Sequence, residues 1–190
     1  EHPDHRLTLQ GRRHLALYDC DGPANLEALE ALRAKFPDDV NLKLFQLSTL
    51  RELGRRDDRL ALYREACAAP KADPILHRQY AEELLAAARE QGEAERLALL
   101  AHRARPTDAP TLALMARLAW NAGRREEALE LYRCASCLAD KDEWLAQAYF
   151  YAARTFHRED EPLALMRERA RRDGSLSSAP ARTLHAALAT

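Results

Sequence analysis

Apolar positions in this chain recur at helical spacing, and the recurrence is broken at regular points by Gly, Pro and Asp. The stretch from Ala109 to Asp142 shows this best. Two helical patterns, Ala109 to Ala122 and Arg125 to Ala139, flank a tight turn at Asn121-Ala122-Gly123-Arg124. Upstream, Leu26, Ala28, Leu29 and Leu32 form one face that begins after Asp21-Gly22-Pro23 and stops at Pro37-Asp38-Asp39. Leu42, Phe45, Leu47, Leu50 and Leu53 predict the next helix, ending at Gly54. Leu60, Leu62, Tyr63, Ala66 and Cys67 predict another, ending before Pro70. Asp73-Pro74 opens a helix striped by Leu76, Tyr80, Ala81, Leu84 and Leu85, running on towards a turn at Gln91-Gly92. Leu97, Leu100, Ala101 and Ala104 carry the one that Pro106 terminates. Later helices are predicted over Trp144 to Phe156, over Glu161 to Arg172 and from a cap at Ser177-Ser178-Ala179-Pro180 through Leu184 and Leu188. Residues 1–21 are ambiguous. They alternate in a way that suits a small hairpin at the end of an upstream domain, yet Leu7, Gln10, Gly11, His14, Leu15 and Tyr18 also share helical spacing. The repeat phase favours a helix.

The breaks recur at one interval. Asp108 and Asp142 stand one interval apart, as do Ala119 and Ala153. Gly54 and Gly123 stand two intervals apart, give or take one position, as do Pro37 and Pro106. Composition agrees with helices throughout: Ala, Leu, Glu and Arg dominate, residues that lose little entropy on entering a helix. The fold class expected is all-α, a solenoid of antiparallel helix pairs.

A period of about 34 residues with two helices per unit resembles the tetratricopeptide repeat family. In the best unit, Ala116 stands where the two helices touch and Gly123 at the turn; Ala128 and Ala135 stand at the small packing positions of the second helix, with Tyr132 as its large wedge. One unit earlier Ala81, Ala94, Ala101 and Pro106 match. Gly54, Tyr63 and Ala66 match in the unit before, where Arg59 replaces a small residue. Ala153 and Leu163 match in the unit after, where Phe150 and Pro162 replace small residues. The resemblance covers about four units over residues 22–176, leaving 177–190 as a capping helix or the start of a further repeat. It implies a right-handed superhelix with an extended concave surface.

In the family this chain resembles, the first helix of each pair lines that surface. Projected onto this chain, the face comprises Ser48 and Arg51; Arg78, Gln79 and Glu82; Arg117, Trp120 and Asn121; and Gln147, Tyr151 and Arg154. Arg51, Arg78, Gln79, Arg117, Trp120, Asn121, Gln147, Tyr151 and Arg154 are the expected partner-binding residues. Such side chains bind extended or acidic peptides by bidentate hydrogen bonds and stacking. The Lys/Asn pattern of the chaperone-tail carboxylate clamp is not matched.

Charge and motifs narrow the function further. Net charge is -1, from 29 basic and 30 acidic residues, so no global field favours nucleic acid. No apolar run approaches the roughly 20 residues of a membrane span. Cys20, Cys67, Cys134 and Cys137 do not form a secreted disulfide framework, and reduced thiols favour the cytoplasm. Cys134-Ala135-Ser136-Cys137 falls inside a helix without a second ligand pair, so both thiols are expected to be buried in packing. His2-Pro3-Asp4-His5 lacks further ligands as well. No catalytic motif occurs, and neither a metal nor a cofactor is expected. The leading expectation is therefore a non-enzymatic scaffold that holds a peptide or protein partner. The alternative is a regulatory or substrate-recruiting repeat domain excised from a larger enzyme, which the start at Glu1 rather than Met would suit. Self-association through incomplete terminal helices is a third expectation.

Overall fold

The computed structural model describes residues 5–175 and 178–189. Every element among them is a helix: α1 (Arg6–Tyr18), α2 (Gly22–Lys35), α3 (Val40–Glu52), α4 (Arg56–Ala68), α5 (Pro74–Ala86), α6 (Gln91–Ala104), α7 (Ala109–Asn121), α8 (Arg125–Leu138), α9 (Glu143–Arg154), α10 (Asp160–Asp173) and α11 (Ala179–Leu188). The chain divides into two compact units, Glu1–Glu83 and Leu84–Thr190, with the boundary inside α5.

Each helix start has a chemical cause. First helices are capped by a side chain once per repeat. Asp39, Asp73, Asp108 and Asp142 accept from the backbone N–H groups of Asn41, Ile75, Thr111 and Trp144 at 2.8–3.0 Å. His5 does the same through Nδ1 for α1, and Ser178 for α11. These side chains satisfy donors that a helix N-terminus otherwise leaves open. The second helices α4, α6, α8 and α10 have no such cap. They carry acids in the first turn instead, such as Asp57-Asp58 and Glu126-Glu127, which the helix dipole favours there.

The ends of first helices are equally uniform. A residue with left-handed φ closes α1, α3, α5, α7 and α9: Cys20 (55°), Gly54 (70°), Ala88 (51°), Gly123 (79°) and His157 (56°). The next N–H then reaches back five residues, as in Arg55 to Leu50 O and Arg124 to Ala119 O, both 2.9 Å. That is the Schellman closure. The sequence shows it only where glycine marks it. The turn predicted at Gln91-Gly92 lies instead at Ala87–Glu90, and α6 begins at Gln91 with Gly92 in its first turn. Residues Arg6–Tyr18 are helical, not a hairpin, so α1 completes a pair with α2 and brings the helix pairs among the described residues to five.

Packing follows the small residues. Ala116, Ala128 and Ala135 each expose 0 %, which lets α7 and α8 approach closely. Leu9, Leu29, Leu32 and Leu42 form a core in the first unit. In the second unit, Ala116, Leu129, Tyr132, Tyr149, Ala152 and Ala153 form one cluster, with Trp120 and Leu131 packed against it. Phe150, which replaces a small residue, is buried with Ala146, Met166 and Ala187, so α11 fills the space that the larger side chain opens. Arg169 of α10 is buried, and it holds backbone. Its guanidinium donates to Ser136 O at 2.5 Å and Asp142 O at 3.4 Å, fastening the last turn of α8 to the start of α9.

Two outcomes test this account. Ala88→Gly removes left-handed strain from an exposed residue and is expected to raise stability by about 1 kcal/mol, while Gly123→Ala lowers it by about as much or more. Urea-unfolding midpoints report both, and unchanged midpoints would mean that the closure carries no strain. Arg169→Met leaves the Ser136 carbonyl without its donor and is expected to cost about 1–3 kcal/mol in the same assay.

Candidate functional site

In the first unit, α3, α4 and α5 enclose a polar cavity of about 190 Å³. Ser48 and Arg51 reach it from α3, Arg59 and Tyr63 from α4, and Gln79, Glu82 and Glu83 from α5. Arg59 stands where the repeat pattern expects a small residue. It is accommodated by running along the helix pair to Glu83, at 2.6 Å. Tyr63 stacks on Tyr80 with 5.5 Å between centroids, and its hydroxyl donates to Gln79 Oε1 at 3.5 Å. Burial, then the Glu83 charge, pushes the Tyr63 phenol up to about 12; Glu82 acts in the same sense, while Arg59 and Arg51 act against it.

The expected residues here divide. Arg51 and Gln79 line the cavity, and Arg51 is exposed. Among the described residues Arg51 has no ion-pair or hydrogen-bond partner. Arg78 does not line the cavity; its guanidinium is held by Glu82 at 2.6 Å, one helical turn on.

In the second unit the expected residues lie on two helix faces. Arg117, Trp120 and Asn121 share one side of α7; Gln147, Tyr151 and Arg154 share one side of α9. Arg117 and Asn121 are exposed. Arg117 lies close enough to Tyr132 to act on its phenol, which burial raises and this guanidinium lowers. Trp120 is half-buried: one part packs on the cluster around Ala116 and Tyr149, and the Arg125 guanidinium lies 5.6 Å from its ring centroid. Gln147 is half-buried, while Tyr151 is 48 % exposed with its ring edge-on to Phe150. Arg154 is exposed and already has a partner.

Sequence reasoning misses the second-helix residues of the site. Tyr63 and Tyr132 each stand nine positions after the turn glycine, Gly54 and Gly123, and each has a first-helix arginine acting on it. That shared register is the available signal. The cysteine reading needs correction. Cys134 and Cys137 are exposed, because the residues between them, Ala135 and Ser136, hold the inner face of α8. Among the described residues no group of three or more His, Cys, Asp or Glu is placed to hold a metal, and no helix is long and apolar enough to cross a membrane. Residues 2–4 of the His2–His5 cluster lie outside the described residues, as does Ser177.

Side-chain-capped first helices, Schellman turns and alanine-lined helix pairs define a tetratricopeptide-like repeat fold. No protein-family model matches the chain, and no curated protein matches it significantly in sequence. Solved structures do match. A thermophilic TPR protein of Thermus thermophilus aligns with a TM-score of 0.67 at 19% identity, covering 96% of this chain and 100% of that one. PilW, a type IV pilus biogenesis factor, gives 0.70 at 15% identity over 96% and 84%. MamA from Desulfovibrio magneticus RS-1 gives 0.70 at 13% identity over 90% and 96%.

The Tyr63 phenol supplies a test of the cavity's burial. A phenol whose folded pKa is raised stabilises the fold fully below pH 10, and that contribution is lost between pH 10 and about 12. The absorbance difference between wild type and Tyr63→Phe is expected to show phenolate forming near pH 12. A midpoint at the ordinary tyrosine value would mean that the ring is solvated.

Proposed function

We propose that the chain is a non-enzymatic interaction module that binds a peptide or protein partner on the first-helix faces of its repeats. In the first unit Arg51 and Gln79 make the contacts, with Arg78 held beside them. In the second unit Arg117, Trp120, Asn121, Gln147, Tyr151 and Arg154 do so. The observation that carries this reading is Arg51. It opens on a polar cavity with its guanidinium unpartnered, while the neighbouring Arg59 and Arg78 each hold a glutamate. An unpaired guanidinium offers a planar fork of donors to a carboxylate or backbone carbonyl of a partner. Tyr151 and the open part of Trp120 add rigid aromatic surface, the kind that dominates binding energy at interfaces. The fold supports the same reading, because stacked helical repeats build extended surfaces of the kind that bind peptides and proteins.

The test compares two charge-reversed proteins. Arg51→Glu with Arg117→Glu alters the proposed face; Arg103→Glu with Arg167→Glu alters exposed second-helix positions. A partner captured by wild type and measured by calorimetry is expected to lose at least tenfold in affinity for the first protein and little for the second. Equal affinities for the two would overturn the proposal.

A further inference from the structure

Cys134 and Cys137 are free thiols outside the packed core. Both are exposed on the outer face of α8, three positions apart, within its last two turns. The backbone between them is held from two sides. Ala135 and Ser136 are buried, the Ala139 N–H closes on Ala135 O, and the buried Arg169 donates to Ser136 O. The two thiols therefore project from a fixed frame. Arg133, whose charge interacts with Cys134, has its guanidinium anchored on Glu130 at 2.9 Å.

Distances decide what such a pair suits. Positions three apart on a helix have their Cβ atoms about 5–6 Å apart. A disulfide requires about 3.5–4.5 Å between Cβ atoms, with sulfurs about 2.05 Å apart. Closing one here would tighten a turn that Arg169 and the buried Ala135 hold in place. A metal bridge is longer. With thiolate–metal bonds of about 2.3 Å, an ion lying between two sulfurs in line separates them by about 4.6 Å. Helical Cβ spacing accommodates that separation without backbone change. The donor set then selects the ion. Zinc needs four ligands, and no third His, Cys, Asp or Glu joins the pair among the described residues. Soft thiolates alone favour soft monovalent ions that accept two-coordination.

We propose that Cys134 and Cys137 form a two-thiolate site that captures a soft, two-coordinate cation of the copper(I) type. On binding, each thiol releases its proton to solvent, two metal–sulfur bonds form, and no electron is transferred. The site lies on a second helix, separate from the first-helix residues assigned to the partner.

Reduced protein is titrated without oxygen against copper(I) held by the chromophoric chelator bathocuproine disulfonate. Wild type is expected to withdraw one equivalent. Cys134→Ser and Cys137→Ser are each expected to bind at least 100-fold more weakly, and Cys20→Ser to match wild type. Either single variant binding like wild type would reduce the site to an adventitious thiol and overturn the proposal. A second arm treats wild type with oxidised glutathione. Mixed disulfides at either thiol fit the geometry; rapid closure of a Cys134–Cys137 disulfide with unchanged helical circular dichroism would show that the spacing does not disfavour it, and would overturn the argument.

Discussion

The chain reverses after each first helix through one residue held in the left-handed region, and the rest of the structure depends on that reversal occurring at a fixed count. Cys20, Gly54, Ala88, Gly123 and His157 recur once per repeat, at the same point in each. Each is followed by the same backward hydrogen bond, which sets the direction in which the second helix leaves. Given that direction, small residues determine how close the helices come. Alanines at 116, 128, 135 and 153 are buried at the contacts, where any larger side chain would push the helices apart. Three of the five left-handed positions are not glycine, so tertiary packing and not local preference holds them there.

Most of the architecture is legible because helical periodicity and the Gly/Pro breaks report the same elements twice. What escapes does so for identifiable reasons. Ala88 adopts a conformation that alanine rarely takes, so the pattern points to the nearby Gly92 for the α5–α6 turn, although that glycine is in a helix. Gly11 makes α1 look doubtful, yet a Cβ there would meet nothing within 4 Å, and the helix tolerates the glycine on its open side. The strongest periodic signal is easily read only in part. Aspartates at 39, 73, 108 and 142 mark the start of four successive first helices, and no glycine is needed to see them.

The site is less legible than the fold. Helical phase puts the first-helix residues on their elements, but phase says nothing of what a side chain already holds. Arg51 and Arg78 look equivalent in sequence; Glu82 one turn beyond Arg78 makes them different. The cysteines mislead for another reason. Cysteine is among the most often buried residue types, and that prior outweighs the register. Counting from Ala128, Tyr132 and Ala135 on the inner face puts 134 and 137 outside.

Ion pairs between helices carry one further consequence. Arg6–Asp39, Arg33–Glu65, Glu126–Arg158 and Asp140–Arg172 join positions 32 or 33 apart in the chain. Exposed pairs of this kind add little stability. Their value lies in separation along the chain. Partners one repeat apart meet after closing only a short loop, so the native arrangement can be reached by a succession of local steps. Chains with contacts this local fold on the fast side of the known range, on the order of microseconds to milliseconds. A helix pair that has just formed also presents the next one with a charge already in register, which makes assembly a process that can advance unit by unit.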